Sequence, residues 1–214
     1  MPVALQLVIG LGNPGPRYAE TRHNAGFWFV DRLAGIHSAR YSTESKFQGE
    51  VARLRGAGLD CWLLKPGTFM NDSGSPVQSF MHYYNVPPEQ TLIVHDEVDF
   101  APGTARLKRG GGHGGHNGLR DIIERTGSSE FQRLRFGVGH PGGDRDAVVS
   151  YVLNRPSAAE RELIDTAIGR ALEVMPLVLA GELEKAMTEL HSSEKLQVKS
   201  EKKEQDDRNG DTDT

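Results

Sequence analysis

Apolar positions along the chain follow two periods in turn. Ala4–Gly10 is a compact apolar run ending on glycine, the pattern of a buried strand. Asn24–Gly35 sets Phe27, Trp28, Val30, Leu33 and Ala34 at helical spacing and also ends on glycine. Gln48–Leu54 and Leu59–Lys65, split by a segment with glycine at 56 and 58, predict a strand pair. Ser75–Tyr84 predicts a helix, Thr91–His95 a second buried strand and Thr104–Arg109 a short strand. Gly118–Thr126 predicts a helix with Leu119, Ile122 and Ile123 turned inward, and Leu134–Val138 a further strand. Helices dominate after that. Ser157-Ala-Ala-Glu160 is a capping box behind Pro156, followed by an apolar face of Leu163, Ile164, Ala167, Ile168, Ala171 and Leu172. Pro176 is expected to interrupt or kink this helix. Glu182–His191 predicts a short amphipathic helix.

Strands alternating with helices predict an α/β fold: a single domain with a twisted, mixed, mainly parallel sheet flanked by helices. We place that domain at residues 1–191. Residues 192–214 hold seven acids, five bases and almost no large apolar side chains, so they are expected to form a disordered charged tail.

Composition narrows the class. At 214 residues the chain can bury a real core. No apolar run reaches the ~18–20 residues of a membrane span, and no signal-peptide pattern opens the chain. The single cysteine, Cys61, excludes an internal disulfide. These features predict a cytoplasmic protein with no membrane partner. The net charge of −4 argues against a polyanionic partner until it is located. Gly103–Arg135 carries seven bases (Arg106, Lys108, Arg109, Arg120, Arg125, Arg133, Arg135) against Asp121, Glu124 and Glu130. A basic window on an acidic protein is compatible with phosphate binding.

Five segments carry candidate chemistry. Gly10-Leu-Gly12-Asn-Pro-Gly15 fits a dinucleotide fingerprint in letters, but Pro14 and Pro16 oppose the helix that motif needs. A Gly/Pro turn that leaves Asn13 at a strand's carboxyl end fits better. Thr21-Arg22-His23-Asn24-Ala25-Gly26 puts His23 at or just before a helix N-terminus, where the dipole favours the neutral ring, with Asn24 a candidate cap. His95-Asp96-Glu97-Val98-Asp99 follows a buried strand, and Asp96 could orient a histidine. Six of the nine residues Gly110–Gly118 are glycine; that loop bares backbone N–H groups and leads to Asn117, a candidate cap. His113 and His116 within it also invite a metal reading with His95, Asp96 or Asp99. Lys65–Gly74 joins a strand to a helix. There Phe69 and Met70 could wall a pocket and Asn71 could hydrogen-bond in both directions, or Thr68 and Asn71 could cap locally.

The ordered series G-L-G-N-P-G, Y-x-x-T-R-H-N-A-G, K-P-x-T-F-M-N-x-S-G, H-D-E-x-D, G-G-G-H-G-G-H-N-G-L and R-L-R-F-G-V-G-H-P-G closely resembles bacterial peptidyl-tRNA hydrolase over about residues 4–190. The resemblance implies a hydrolase of the ester between peptide and tRNA, recycling tRNA from stalled or aborted translation. It implies no metal or organic cofactor, peptidyl-tRNA as partner, no obligate protein partner and a monomer. His23 would be the catalytic base, Asp96 its supporting carboxylate, and Asn13 the group that separates blocked from free aminoacyl ends. Asn71 and Asn117 would hold the substrate, with Tyr18, Phe69, Met70 and His116 around the same cleft. Lys108, Arg135 and Arg145 would meet tRNA phosphates. The stretch Pro141–Ala147 is poorer in lysine than the family's loop, so Arg145 is the nearest basic candidate there.

Overall fold

The computed structural model describes residues 4–56 and 58–192. In chain order the elements are β1 (Leu7–Gly10), α1 (Ala25–Ile36), β2 (Ser42–Glu44), β3 (Gly49–Gly56), β4 (Leu59–Pro66) and α2 (Gly74–Tyr84). They continue with β5 (Thr91–Glu97), β6 (Ala105–Arg109), α3 (Asn117–Thr126), β7 (Gln132–Gly137), α4 (Arg145–Val152) and α5 (Ala158–Leu179). A further helix, α6, covers the described residues 183–192. Ser192, where the proposed tail begins, is the last described residue and is helical, and the rest of the proposed tail lies outside the described residues.

Among the described residues, seven strands form one sheet in the order β2-β3-β4-β1-β5-β7-β6. The central strands are parallel: β1 with β4, β1 with β5, and β5 with β7. The outer strands β2, β3 and β6 pair antiparallel to their neighbours. The fold is thus the α/β domain with a mixed, mainly parallel sheet that the sequence pattern predicts. Strand periodicity divides the core. Val8, Leu92 and Val94 face α1, α5 and α6, while Leu7, Ile9 and Ile93 face α2 and α3.

Two glycines let β1 and α1 meet backbone to backbone. A Cβ on Gly10 would lie 2.5 Å from the Gly26 carbonyl oxygen, and one on Gly26 would lie 2.3 Å from the Val94 oxygen. This approach brings the turn before α1 to the carboxyl ends of β1 and β5, the usual ligand crevice of an open α/β sheet.

The structure departs from the sequence reading in several elements. α5 is not interrupted at Pro176 but runs on to Leu179, because Val174, Met175, Val178 and Leu179 are all buried and packing holds the last turn. Two elements were not foreseen: β2, only three residues long, and α4, which begins inside the supposed loop at Asp144-Arg145. No described helix is long and apolar enough to cross a membrane.

Candidate active site

The site grows from four strand ends and the loops they feed. β5 ends in His95-Asp96-Glu97. Asp96 continues the face of Leu92 and Val94, is 2% exposed, and points toward the start of α1. There a 3₁₀ turn, Arg22–Asn24, delivers His23. His23 Nδ1 lies 2.8 Å from Asp96 Oδ1 and 3.0 Å from Oδ2. From the other side His116 Nε2 lies 3.1 Å from Oδ1. Burial opposes ionisation of Asp96, but the flanking His23 and His116 rings, by charge and hydrogen bonding, outweigh it and hold the carboxyl well below the usual carboxylate range.

An ionised carboxylate only accepts hydrogen bonds, which fixes both rings. His23 Nδ1–H must donate, so the neutral ring keeps its lone pair on Nε2. His116 Nε2–H must donate as well, and its Nδ1 is the acceptor that the Leu119 N–H uses at 3.3 Å to cap α3. His116, not Asn117, is therefore the α3 cap; Asn117 is the first helical residue. Asn24 ends the 3₁₀ turn but makes no side-chain cap bond, because its amide is engaged with Asn13.

Three ligand-type groups, His23, Asp96 and His116, lie with their polar atoms within 4.8 Å of one another. A metal on His116 Nε2 would move the ring proton to Nδ1 and strip the Leu119 N–H of its acceptor. The cluster fits protons better than a cation. His113 and Asp99 do not join it, and His95 turns away: its Nδ1 donates to the Asp96 carbonyl at 2.6 Å, and burial followed by the neighbouring His116 charge pushes its pKa well down.

The other candidates gather around this centre. Asn13 is 5% exposed, and its Oδ1 accepts the Met70 N–H at 2.8 Å. That bond assigns the amide, so Nδ2 is the group left to donate. Its backbone N–H donates to Asn24 Oδ1 at 2.8 Å, and Asn24 Nδ2 returns a bond to the Asn13 carbonyl at 3.0 Å. Tyr18 and Phe69 meet edge to face, centroids 5.9 Å apart, with Phe69 57% exposed. Asn117 Oδ1 accepts from Arg145 Nη2 at 3.4 Å. Asn13, Tyr18, His23, Phe69–Asn71, Asp96, His116, Asn117 and Arg145 all border one cleft of about 750 Å³. A neighbouring groove of about 620 Å³ shares Asn13, but its charged groups pair among themselves, Lys65 with Asp31 and Glu50, and the His23–Asp96–His116 cluster borders the first cleft instead.

The basic window divides on folding. Lys108 and Arg135 share the β6–β7 face, where burial followed by like charge from Arg135 and Arg133 lowers the Lys108 ammonium. Arg133 is 2% exposed and donates to the Gly111 and Gly112 carbonyls, pinning the glycine loop instead of facing solvent. Arg125 pairs with Asp72 and Asp121. Arg145 stands apart from that face, at the cleft beside Asn117.

The cleft wall formed by α4, with Val148, Val149, Val152 and Leu153, was missed in the sequence. Its signal was present: Asp144 caps the helix by accepting the Ala147 N–H at 3.0 Å, and four apolar residues follow at helical spacing.

A buried carboxylate orienting a histidine, amide groups along an apolar cleft and a basic strand face define a hydrolase-type site on an α/β sheet. The peptidyl-tRNA hydrolase family model matches residues 7–200. The chain is 51% identical over 192 residues to the peptidyl-tRNA hydrolase of Neisseria meningitidis, covering 90% of this chain and all of that one. It is 53% identical to that of Stenotrophomonas maltophilia over 188 residues, 88% of this chain and 97% of that one. The crystal structure of the Acinetobacter baumannii peptidyl-tRNA hydrolase superposes with a TM-score of 0.84 at 47% identity, covering 87% of this chain and 94% of that one. The chain belongs to the peptidyl-tRNA hydrolase family, and with it to the aminoacyl-tRNA ester hydrolases.

Proposed function

We propose that the protein hydrolyses the ester between the C-terminal carbonyl of a peptide and the ribose of tRNA, with His23 as general base. The observation that carries this reading is the His23 Nδ1–Asp96 contact, which leaves Nε2 to accept a proton. Water gives its proton to Nε2 as its oxygen attacks the ester carbonyl. Asp96 stabilises the resulting imidazolium. Asn13, through Nδ2, and the amides of Asn71 and Asn117 donate to the developing oxyanion and hold the peptide. The tetrahedral intermediate then expels the ribose oxygen, which takes the proton back from Nε2. An ester leaves readily, so one base, worth about 10²–10⁴-fold, and one oxyanion donor, worth about 10²–10³-fold, suffice.

Met70 and Phe69 wall the acyl side with Tyr18, and His116 keeps Asp96 in place. Lys108 and Arg135, with Arg145 at the cleft, meet tRNA phosphates without reading sequence. In this reading residues 1–191 form the catalytic domain, followed by a charged tail. The enzyme acts as a cytoplasmic monomer without metal or organic cofactor and recycles tRNA from aborted translation.

The test is hydrolysis of N-blocked and free aminoacyl-tRNA by wild type and His23→Ala, with and without EDTA. Cleavage of the blocked ester alone, indifferent to EDTA and lost in His23→Ala while tRNA still binds, is expected. Equal rates on the two esters, or chelator-sensitive turnover, would overturn the reading.

A further inference from the structure

The T-R-H-N-A-G motif holds one charged side chain that the chemistry above leaves without a role. Arg22 directly precedes His23, yet it is 6% exposed and points away from the reacting groups. Its Nη1 lies 3.3, 3.3 and 3.0 Å from the carbonyl oxygens of Tyr151, Asn154 and Arg155. Its Nη2 donates to Glu160 Oε2 at 2.9 Å. The guanidinium also sits 3.9 Å from the centroid of the Tyr151 ring, and the Arg22 backbone N–H donates to the Asn154 carbonyl at 3.2 Å.

These partners are not scattered. Tyr151 lies in the last turn of α4 and Asn154 and Arg155 just beyond it, where a helix leaves carbonyls without partners and its dipole favours a cation. Glu160 closes the capping box at the start of α5. The Tyr151 hydroxyl ties the same group to the Val138 carbonyl at 2.8 Å and to Glu160 Oε1 at 3.3 Å. Among the helices and strands described, the Arg22–Asn24 turn is the element against which α4 chiefly packs. α4 is the apolar wall of the cleft, whereas His23 and Asp96 form its floor.

One guanidinium therefore brackets wall to floor, a single peptide bond from His23. We infer that Arg22 is a positioning residue: it locks the His23 turn against α4, so that base and substrate wall keep their spacing, and its effect on turnover passes through His23. This inference rests on the reading of His23 as general base. A lysine would keep the charge without the planar fork that reaches three carbonyls and a carboxylate together.

The experiment measures kcat and KM on an N-blocked aminoacyl-tRNA for the full chain and for Arg22→Lys, Glu160→Gln, Tyr151→Phe and His23→Ala. Tm is recorded beside the proton resonance of the His23 Nδ1–H bonded to Asp96. Arg22→Lys is expected to lower kcat on the order of 10²-fold, the scale of a misplaced reacting group, with a smaller rise in KM and a displaced Nδ1–H resonance. Glu160→Gln and Tyr151→Phe, which loosen the bracket while leaving Arg22 on its carbonyls, are expected to shift the resonance the same way with smaller losses. A lower Tm with kcat per folded molecule and resonance both unchanged would make Arg22 a helix cap only and overturn the inference. Should Arg22→Lys fail to fold, an unmoved resonance and unchanged kcat in both milder variants overturns it equally. Turnover surviving in His23→Ala would remove the general-base reading itself, whereas an inactive His23→Ala beside a wild-type-like Arg22→Lys defeats the positioning role alone.

Discussion

Both oxygens of Asp96 lie within 3.0 Å of His23 Nδ1, and one of them also receives His116 Nε2 at 3.1 Å. One buried carboxylate thus sets the tautomer of two imidazoles, that of His23 lining the cleft and that of His116 capping α3. Asp96→Asn is the sharpest probe of this arrangement. An amide can turn its NH₂ toward Nδ1 and stabilise the ring with its proton on Nε2, the wrong tautomer for a base. We expect kcat to fall by about 10²–10⁴-fold with little change in KM. Steady-state kinetics with nitrogen-15 spectra of the His23 ring would check it, and near-wild-type kcat would sink it.

In the proposed reading Asn13 has two tasks that substitution can separate. Its Oδ1 accepts the Met70 N–H at 2.8 Å, and Nδ2 is left to donate. Asn13→Asp keeps the acceptor and loses the donor, so Tm should hold while kcat/KM falls by about 10²–10³-fold. Asn13→Ala loses both and leaves a buried N–H without a partner, a further cost of about 1–3 kcal/mol in stability. Equal Tm losses in the two variants would contradict this division.

The sequence made the central strands legible because parallel strands buried on both faces read as continuous apolar runs, as in Thr91–His95. The candidate polar residues drew attention by position: His23 just ahead of a helix, Asp96 at a strand end and Asn117 beside a glycine, where side chains of those types have chemical uses. What stayed hidden depended on tertiary contact. β2 is three residues long and largely exposed, so it carries no periodicity of its own. α4 lay hidden behind Gly142-Gly143, which reads as loop although Asp144 begins a helix. The capping role of His116 follows from its contact with Asp96, 20 residues away in the chain, which no local pattern encodes. Arg133 looked like one more surface cation, yet the glycine loop folds over it and takes its donors.

That difference between cations yields a salt-dependence prediction. Under the proposed reading Lys108→Ala, Arg135→Ala and Arg145→Ala should each reduce the slope of log K against log salt for tRNA binding by about 1. Arg133→Ala should leave the slope unchanged and lower kcat, because it frees the loop that carries His116 and Asn117. Binding titrations at several salt concentrations would check all four variants. A slope change in Arg133→Ala, or none in both Lys108→Ala and Arg135→Ala, would contradict the assignment of the basic face.

Cys61 offers a test of the core rather than of the cleft. Its side chain is fully buried in β4 among the residues packed against α1 and α5, and burial, with a smaller push from the Asp60 charge, raises its thiol from 9.0 to about 12. Folding therefore holds the proton more tightly than the unfolded chain does. The contribution is fully present below about pH 9 and is lost as pH rises toward 12, where unfolding is favoured by thiolate formation. Tm measured against pH for wild type and Cys61→Ala should show the variant less stable at pH 7, because it leaves a small cavity. The gap should narrow progressively above pH 9. A gap that stays constant through pH 11 would mean that the thiol ionises as readily inside the fold as outside it.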